Sequence, residues 1–93
     1  MATQRSFRFG ATEIRPASRA EWAAYARKVE DLGYSTLVMG DHFSIGGLGP
    51  LAALMAAADA TTTLRLGSMV FANDFRNPVL LAQEAATITC WHC

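Results

Sequence analysis

An acid and an imidazole, Asp41 and His42, follow directly after the apolar run Leu37 to Gly40. Such a run is typical of a strand that is covered on both faces. In parallel α/β proteins the functional groups collect at the carboxyl ends of strands, so the pair marks the predicted site. Imidazole suits proton transfer because its ordinary pKa lies near neutrality. The residues alone leave open a second interpretation, in which Asp41 caps a turn and His42 is a partly buried loop histidine.

The composition excludes several other classes of function. Of the 93 residues, 52% are apolar and 17% are charged, and the eight basic residues balance the eight acidic ones. This indicates one small globular domain, and the scattered arginines form no basic stripe for nucleic acid. No window approaches the ~20 apolar residues of a membrane helix, and residues 1–8 lack the apolar core of a signal peptide. We therefore predict a cytoplasmic protein with no nucleic-acid or membrane partner.

The first half of the chain predicts a strand, a helix and a second strand. Alternating aromatic residues predict a strand from Ser6 to Ala11. A capping-box pattern at residues 18–21 begins a helix, and Gly33 follows it as a natural C′ residue, so we place the helix over residues 19–32. The second strand covers Ser35 to Met39. The glycine-rich loop that follows, from Gly40 to Gly49, is long for a βα connection and is expected to be functional.

The second half repeats this order. Pro50 begins a helix that is expected to end at the threonine run 61–63, and Leu64 to Val70 forms the third strand. Asn77 and Pro78 resemble an N-cap and N1 pair that begins the third helix. Strands that recur at roughly 30-residue spacing predict right-handed βαβ units and therefore a parallel α/β sheet.

Five stretches, in this order and spacing, carry a resemblance to a known family. They are Phe7 to Gly10, Ala26 to Tyr34, Gly40 to Phe43, Leu64 to Val70 and Asn73 to Thr87. Over residues 7–87 the chain resembles the N-terminal part of the luciferase-like monooxygenase superfamily, in particular the branch of oxidoreductases that use the deazaflavin coenzyme F420.

The resemblance implies a TIM (β/α)8 barrel that binds coenzyme F420, or alternatively FMN, at the carboxyl ends of its strands. Such a barrel takes ~250 residues, and this chain supplies the first three of its eight βα units. The implied reaction is hydride transfer between the deazaflavin and a small organic substrate. On this interpretation residues 1–93 are a partial barrel domain that is inactive alone. Its binding of the coenzyme is expected to be weak or absent, because relatives hold the coenzyme phosphate mainly with later strands.

The resemblance also implies roles for particular residues. Asp41 and His42 are the implied catalytic pair, placed against the reactive face of the coenzyme. Met69 and Val70, at the end of the third strand, are implied to support the back of the coenzyme ring through a cis peptide bond, and Asn73 to donate an amide hydrogen bond to the ring. A plain strand end and a turn asparagine are the alternatives. Arg65 and Arg76 are expected to be solvated or salt-bridged rather than bound to the coenzyme tail.

The last six residues depart from the family pattern. Relatives continue with Leu-Asp and a Ser-Gly-Gly-Arg turn, whereas residues 88–93 of this chain read Ile-Thr-Cys-Trp-His-Cys. We interpret them as a divergent tail that arises from a truncated reading frame. Cys90, His92 and Cys93 resemble a redox pair or half a zinc site, but a zinc site normally needs four ligands. We therefore predict no metal.

A second hypothesis of a different class remains open, in which the chain is a non-catalytic remnant or a small interaction protein. The unpaired edges of strands one and three would then drive self-association. The helices are expected to cover one face of the sheet, through residues that include Trp22, Tyr25, Leu54 and Leu81. The other face would expose Phe9, Leu37 and Met39 to water, and an apolar patch of that size favours association.

Overall fold

A computed structural model describes residues 6–42 and 47–92 of the chain, with the backbone alone for residues 91–92. The predicted alternation of strands and helices is confirmed. The elements are β1 (Gly10–Thr12), α1 (Arg19–Asp31), β2 (Thr36–Met39), α2 (Pro50–Ala60), β3 (Arg65–Ser68), a single 3₁₀ turn (Asn73–Phe75) and α3 (Pro78–His92). Residues 43–46 of the predicted glycine-rich loop, including Phe43, lie outside the described residues.

The three strands form one parallel sheet in the order β1-β2-β3. Ala11 pairs with Leu37, which in turn pairs with Leu66. Because the strands are parallel and in sequence order, their carboxyl ends lie along the same edge of the sheet, which we call the carboxyl edge. The arrangement is that of the first units of a βα repeat.

Helix α1 begins and ends at the predicted signals. The Ser18 hydroxyl accepts a hydrogen bond from the Glu21 N–H at 3.1 Å, and the Glu21 carboxylate accepts one from the Ala17 N–H at 3.0 Å. At the other end the helix is capped at Leu32, and Gly33 follows with φ of +89°. This left-handed conformation favours glycine, which explains why the helix ends there.

The other two helices also start where predicted. Pro50 is the first residue of α2, and Asn77 caps α3 by accepting hydrogen bonds from the Val79 and Leu80 N–H groups. Helix α3 continues without interruption through residues 88–92, the segment that departs from the family pattern. No helix of the described residues is long and apolar enough to cross a membrane.

The hydrophobic core lies between the helices and one face of the sheet. Its buried members are Trp22, Ala26, Val29, Leu37, Met39, Ala53, Leu54, Ala57 and Leu64. The Trp22 indole N–H donates to the Ala53 carbonyl at 2.8 Å and so joins α1 to α2 inside the core. The predicted cover by Trp22 and Leu54 is confirmed. From α3, however, Ile88 rather than Leu81 packs against the cluster.

The prediction that Leu37 and Met39 are exposed is wrong, because their side chains are 0% and 2% exposed. Successive side chains of a strand point to opposite faces. Since Leu37 and Met39 share the helix-covered face, Thr36 and Val38 occupy the open one. An uninterrupted apolar run does not reveal which of its alternating positions faces the helices.

The first strand also lies further along the chain than predicted. Residues 6–9 precede the strand, and Phe7 and Phe9 are 90% and 66% exposed. The physical reason is the length of the partner strand. Regular pairing with β2 begins at Gly10, opposite Thr36, and only the Phe9 carbonyl accepts one further backbone hydrogen bond, from Ser35. The alternating aromatic residues therefore have no partner strand there to organise them.

Candidate functional site

The carboxyl edge of the sheet brings the predicted site residues into one region. Asp41 and His42 follow β2, the Met69–Val70 bond follows β3, and Asn73 begins the 3₁₀ turn before α3. Glu13 follows β1 at the same edge and was not among the predicted site residues. Its position just after a strand is the signal that would have found it, but the predicted strand ended one residue too early.

Asp41 is a buried anchor. It is 5% exposed, and its carboxylate accepts three hydrogen bonds. Two come from the Arg76 guanidinium, Nε to Oδ2 and Nη2 to Oδ1, the second at 2.6 Å. The third comes from the Ala72 N–H to Oδ2 at 2.8 Å. Of the two states expected for Arg76, solvated or salt-bridged, the structure shows the salt bridge, and its partner is the acid of the predicted catalytic pair.

The ion pair determines the protonation state of Asp41. The hydrogen bonds from Arg76 lower the pKa of the Asp41 carboxyl below its ordinary value of 3.8, although burial opposes the effect. The Ala72 N–H and the positive charge of Arg76 act in the same direction as the hydrogen bonds. Asp41 is therefore ionised at neutral pH, and its oxygens are engaged with protein donors.

Two aromatic rings flank the other side of the ion pair. The Arg76 guanidinium carbon lies 5.5 Å from the centre of the Phe71 ring and 5.9 Å from that of Phe75. These distances are typical of cation–π contacts. Arg76 is thus held by a carboxylate and by two rings that belong to its own segment, residues 71–76.

His42 lies at the surface, next to the buried Asp41. Its ring folds back over Gly40 so closely that a Cβ built on Gly40 would lie 2.9 Å from His42 Cδ2 and 3.1 Å from Nε2. The Glu13 carboxylate accepts a hydrogen bond from the Gly40 N–H at 3.1 Å. Glu13, Gly40 and His42 help to line a cavity of about 100 Å³. The imidazole is therefore open to a ligand, and a carboxylate lines the same cavity.

The end of β3 presents apolar rather than polar groups. Met69 and Val70 are 70% and 71% exposed. The peptide bond between them is cis, as the resemblance implied. The Met69 N–H and the Ser68 hydroxyl both donate to the Met39 carbonyl, at 2.8 and 2.9 Å, and so tie the end of β3 to the end of β2. Asn73, also exposed, follows a few residues later.

The larger clefts contain none of the predicted site residues, and the C-terminal motif belongs to α3. Two clefts of about 430 Å³ each lie between α1 and α2 and between α2 and α3, and none of the predicted site residues lines them. Cys90 is exposed on α3. Only the backbone of His92 is described, and Cys93 lies outside the described residues. In the described part of the chain, no three His, Cys, Asp or Glu side chains are grouped to hold a metal ion.

The arrangement has a clear chemical character. An exposed imidazole, an exposed carboxamide and an exposed apolar pair share the carboxyl edge, whereas the one buried carboxylate there is neutralised by Arg76. Such a surface suits a ligand with a flat apolar face and a polar rim.

Comparison of the sequence with protein-family models gives a match. The family model for luciferase-like monooxygenases matches residues 3–92. A search of curated proteins gave no match.

Proposed function

The chain belongs to the luciferase-like monooxygenase family, and on this premise we propose that its carboxyl edge serves an oxidoreductase that uses coenzyme F420, with FMN as the alternative. The reaction is hydride transfer between the coenzyme and a small organic substrate. The three βα units then correspond to the first three units of a (β/α)8 barrel. The observation that carries the proposal is that the apolar pair Met69 and Val70 and the polar His42 and Asn73 are all exposed and all follow strands at the carboxyl edge.

The donor set at this edge fits a flavin or deazaflavin ring. Such a ring has flat apolar faces and a rim of carbonyl and N–H groups. Met69 and Val70 offer apolar contact to a face, and Asn73 offers both a donor and an acceptor to the rim. When a ligand covers exposed apolar side chains of this kind, it removes their surface from water and so lowers the free energy of the complex.

Each residue of the chain then has a distinct task. The coenzyme, when bound, supplies the centre that gives or accepts the hydride. His42 hydrogen-bonds the substrate and holds or releases a proton at a ring nitrogen. Asp41 remains ionised and fixes the backbone from which His42 projects. Glu13, which accepts from the Gly40 N–H, holds the same backbone from the β1 side.

Titration of the chain with F420 tests the proposal, with binding read from the coenzyme fluorescence. Two valines of nearly equal exposure make a matched pair, because Val70 is 71% exposed at the candidate site and Val79 is 74% exposed on α3. We expect Val70→Ala to weaken binding by about fivefold to tenfold through lost apolar contact. Val79→Ala should bind like the parent chain.

A parallel titration with FMN decides between the two coenzymes. Binding of FMN alone would replace F420 in the proposal. Binding of neither coenzyme, or equal losses for the two valine variants, would refute the site.

We further propose that the 93-residue chain by itself binds the coenzyme weakly and without turnover. His42, Met69, Val70 and Asn73 are all exposed, so water has free access to the place where the hydride would move. Catalytic sites of this kind work by excluding water. Sustained reduction of added F420 with small alcohols as hydride donors, or sustained oxidation of reduced F420 with small ketones as hydride acceptors, would contradict this expectation.

A second candidate function is self-association, and the sheet order favours it. In the described part of the chain, β1 and β3 each pair with β2 alone, so each leaves one edge open. Open edges invite pairing with another chain. Sedimentation velocity over a hundredfold range of concentration should show a growing oligomer, and Thr12→Lys on β1 should reduce it more than Thr89→Lys on α3. A monomer at every concentration would exclude this function.

A further inference from the structure

Arg76 lies outside the set of residues predicted to touch coenzyme or substrate, yet it connects the two segments that carry them. We propose that Arg76 is a positioning residue of the candidate site. By holding Asp41, it fixes the segment 71–76, with Asn73, against the end of β2, with His42. The inference rests on the proposed function for its catalytic meaning, but its geometric content can be tested independently.

Asp41 contacts the segment 71–76 at two residues rather than one. Arg76 uses two different nitrogens for the two oxygens of Asp41, and Oδ2 also accepts from the Ala72 N–H at 2.8 Å. Asp41 therefore holds the segment 71–76 at its second residue and at its last. Asn73 lies between these two attachment points, so its backbone position follows from them.

The contacts of Asp41 also position His42. His42 is the next residue in the chain, and the Asp41 side chain, which pairs with Arg76, is 2% exposed. A carboxylate that is buried and held at three points orients the backbone on either side of it. The partners are 35 residues apart in the sequence, so no local turn can replace the link.

The geometry requires arginine rather than any cation. A guanidinium offers parallel donors to both oxygens of a carboxylate, whereas an ammonium acts as a point charge. The Arg76 side chain is only 20% exposed, and the Phe71 and Phe75 rings lie against its guanidinium. Lysine would keep the charge but would lose the second directed hydrogen bond and the planar contact with the rings.

The first arm of the test follows geometry in the whole chain without any coenzyme. Arg76→Lys is compared with Arg65→Lys, a control on the exposed first residue of β3. We expect Arg76→Lys to shift the NMR signals of both the Asn73 carboxamide and the His42 ring, while Arg65→Lys leaves both unchanged. Unchanged Asn73 and His42 signals in a folded Arg76→Lys chain would overturn the inference.

The second arm measures F420 affinity. Arg76→Lys should weaken binding by about tenfold, as expected when site groups are misplaced by a fraction of an ångström. If Arg76 acts through Asn73, adding Arg76→Lys to Asn73→Ala should cause little further loss. Multiplied losses, or parent-like affinity of Arg76→Lys, would overturn the positioning role, since charge alone would then be sufficient.

Two further results distinguish a failure of the coenzyme proposal from a failure of the positioning role. If the parent chain binds no coenzyme but the Asn73 and His42 signals still move together, the coenzyme proposal fails and the positional link stands. If Arg76→Lys does not fold, Phe75→Leu weakens the contact with the guanidinium more gently. It should then shift the same two signals and reduce affinity by about threefold; unchanged signals would overturn the inference.

Discussion

Replacing Asp41 with asparagine separates the anchoring role of this residue from a role in proton transfer. Asn keeps the size of the side chain and one acceptor oxygen, but it leaves the Arg76 guanidinium without its counter-charge. Removing one partner of a buried ion pair costs about 3–5 kcal/mol. Because the Arg76 side chain is 20% exposed and recovers some hydration, we expect a loss of about 2–3 kcal/mol.

A loss of this size is large for a chain of 93 residues. Domains of this length have free energies of unfolding of about 5–14 kcal/mol. At about 4–8 °C per kcal/mol, the expected fall in Tm is about 8–24 °C. The assay is thermal and urea unfolding followed by circular dichroism. Asp74→Asn, an exposed acid in the same segment, is the control and should change stability by less than about 0.5 kcal/mol.

The effect should depend on pH with a defined sign. The folded-state pKa of Asp41 lies below its ordinary value of 3.8, so its ionised form stabilises the fold. This contribution is fully present above the unfolded-state pKa and is lost as the pH falls through the folded-state pKa. The stability gap between the parent chain and Asp41→Asn should therefore be constant near neutrality and narrow below about pH 4. Two results would refute the anchoring role: equal stability of Asp41→Asn and Asp74→Asn, or a stability difference between the parent chain and Asp41→Asn that does not change at acidic pH.

Two other predictions concern the opposite ends of the strands. Glu30 Oε2 accepts four hydrogen bonds from residues 62–64, three from backbone N–H groups and one from the Thr63 hydroxyl. These bonds, above all the one from the Thr63 N–H, lower the pKa of the Glu30 carboxyl below its ordinary value of 4.5. Glu30→Gln should cost about 1–2 kcal/mol at pH 7 and less below pH 4. A cost equal to that of Asp31→Asn on the same helix would contradict this. Gly40→Ala should displace the His42 ring, because the new Cβ would lie 2.9 Å from its Cδ2, and so shift the NMR signals of that ring with little loss of stability. The control is Gly49→Ala, which has open space where the new Cβ would lie; unchanged His42 ring signals in both variants would contradict this prediction.

Local signals were sufficient for most of the helices. The Ser18 cap, the left-handed Gly33, the N1 proline of α2 and the Asn77 cap each act within a few residues of the helix end that they define. Their physical effect depends on neighbouring backbone groups alone, so the sequence carries it in full. The same reasoning gave the order of the elements and the location of Asp41 and His42 after the second strand.

Strand limits and strand faces needed the partner strands. The pairing of β1 begins at Gly10 because regular pairing with β2 begins at Thr36. The alternating aromatic residues before Gly10 give no sign of this limit. Leu37 and Met39 are buried because the helices cover their face of β2. In an apolar run either set of alternating positions satisfies the pattern, so only the packing of the helices selects one.

The candidate site shows the same division. By itself the sequence determined that the chain belongs among βα repeats, that a polar pair follows the second strand, and that Met69, Val70 and Asn73 lie at or after the end of the third. The third strand itself was predicted to reach Val70, whereas β3 ends at Ser68. The tertiary structure alone decided that Asp41 is turned inward to Arg76 while His42 stays exposed, and that Glu13 joins them at the carboxyl edge. The reason is distance along the chain: an ion pair between residues 35 apart forms only when two strands and a returning segment bring the carboxylate and the guanidinium together.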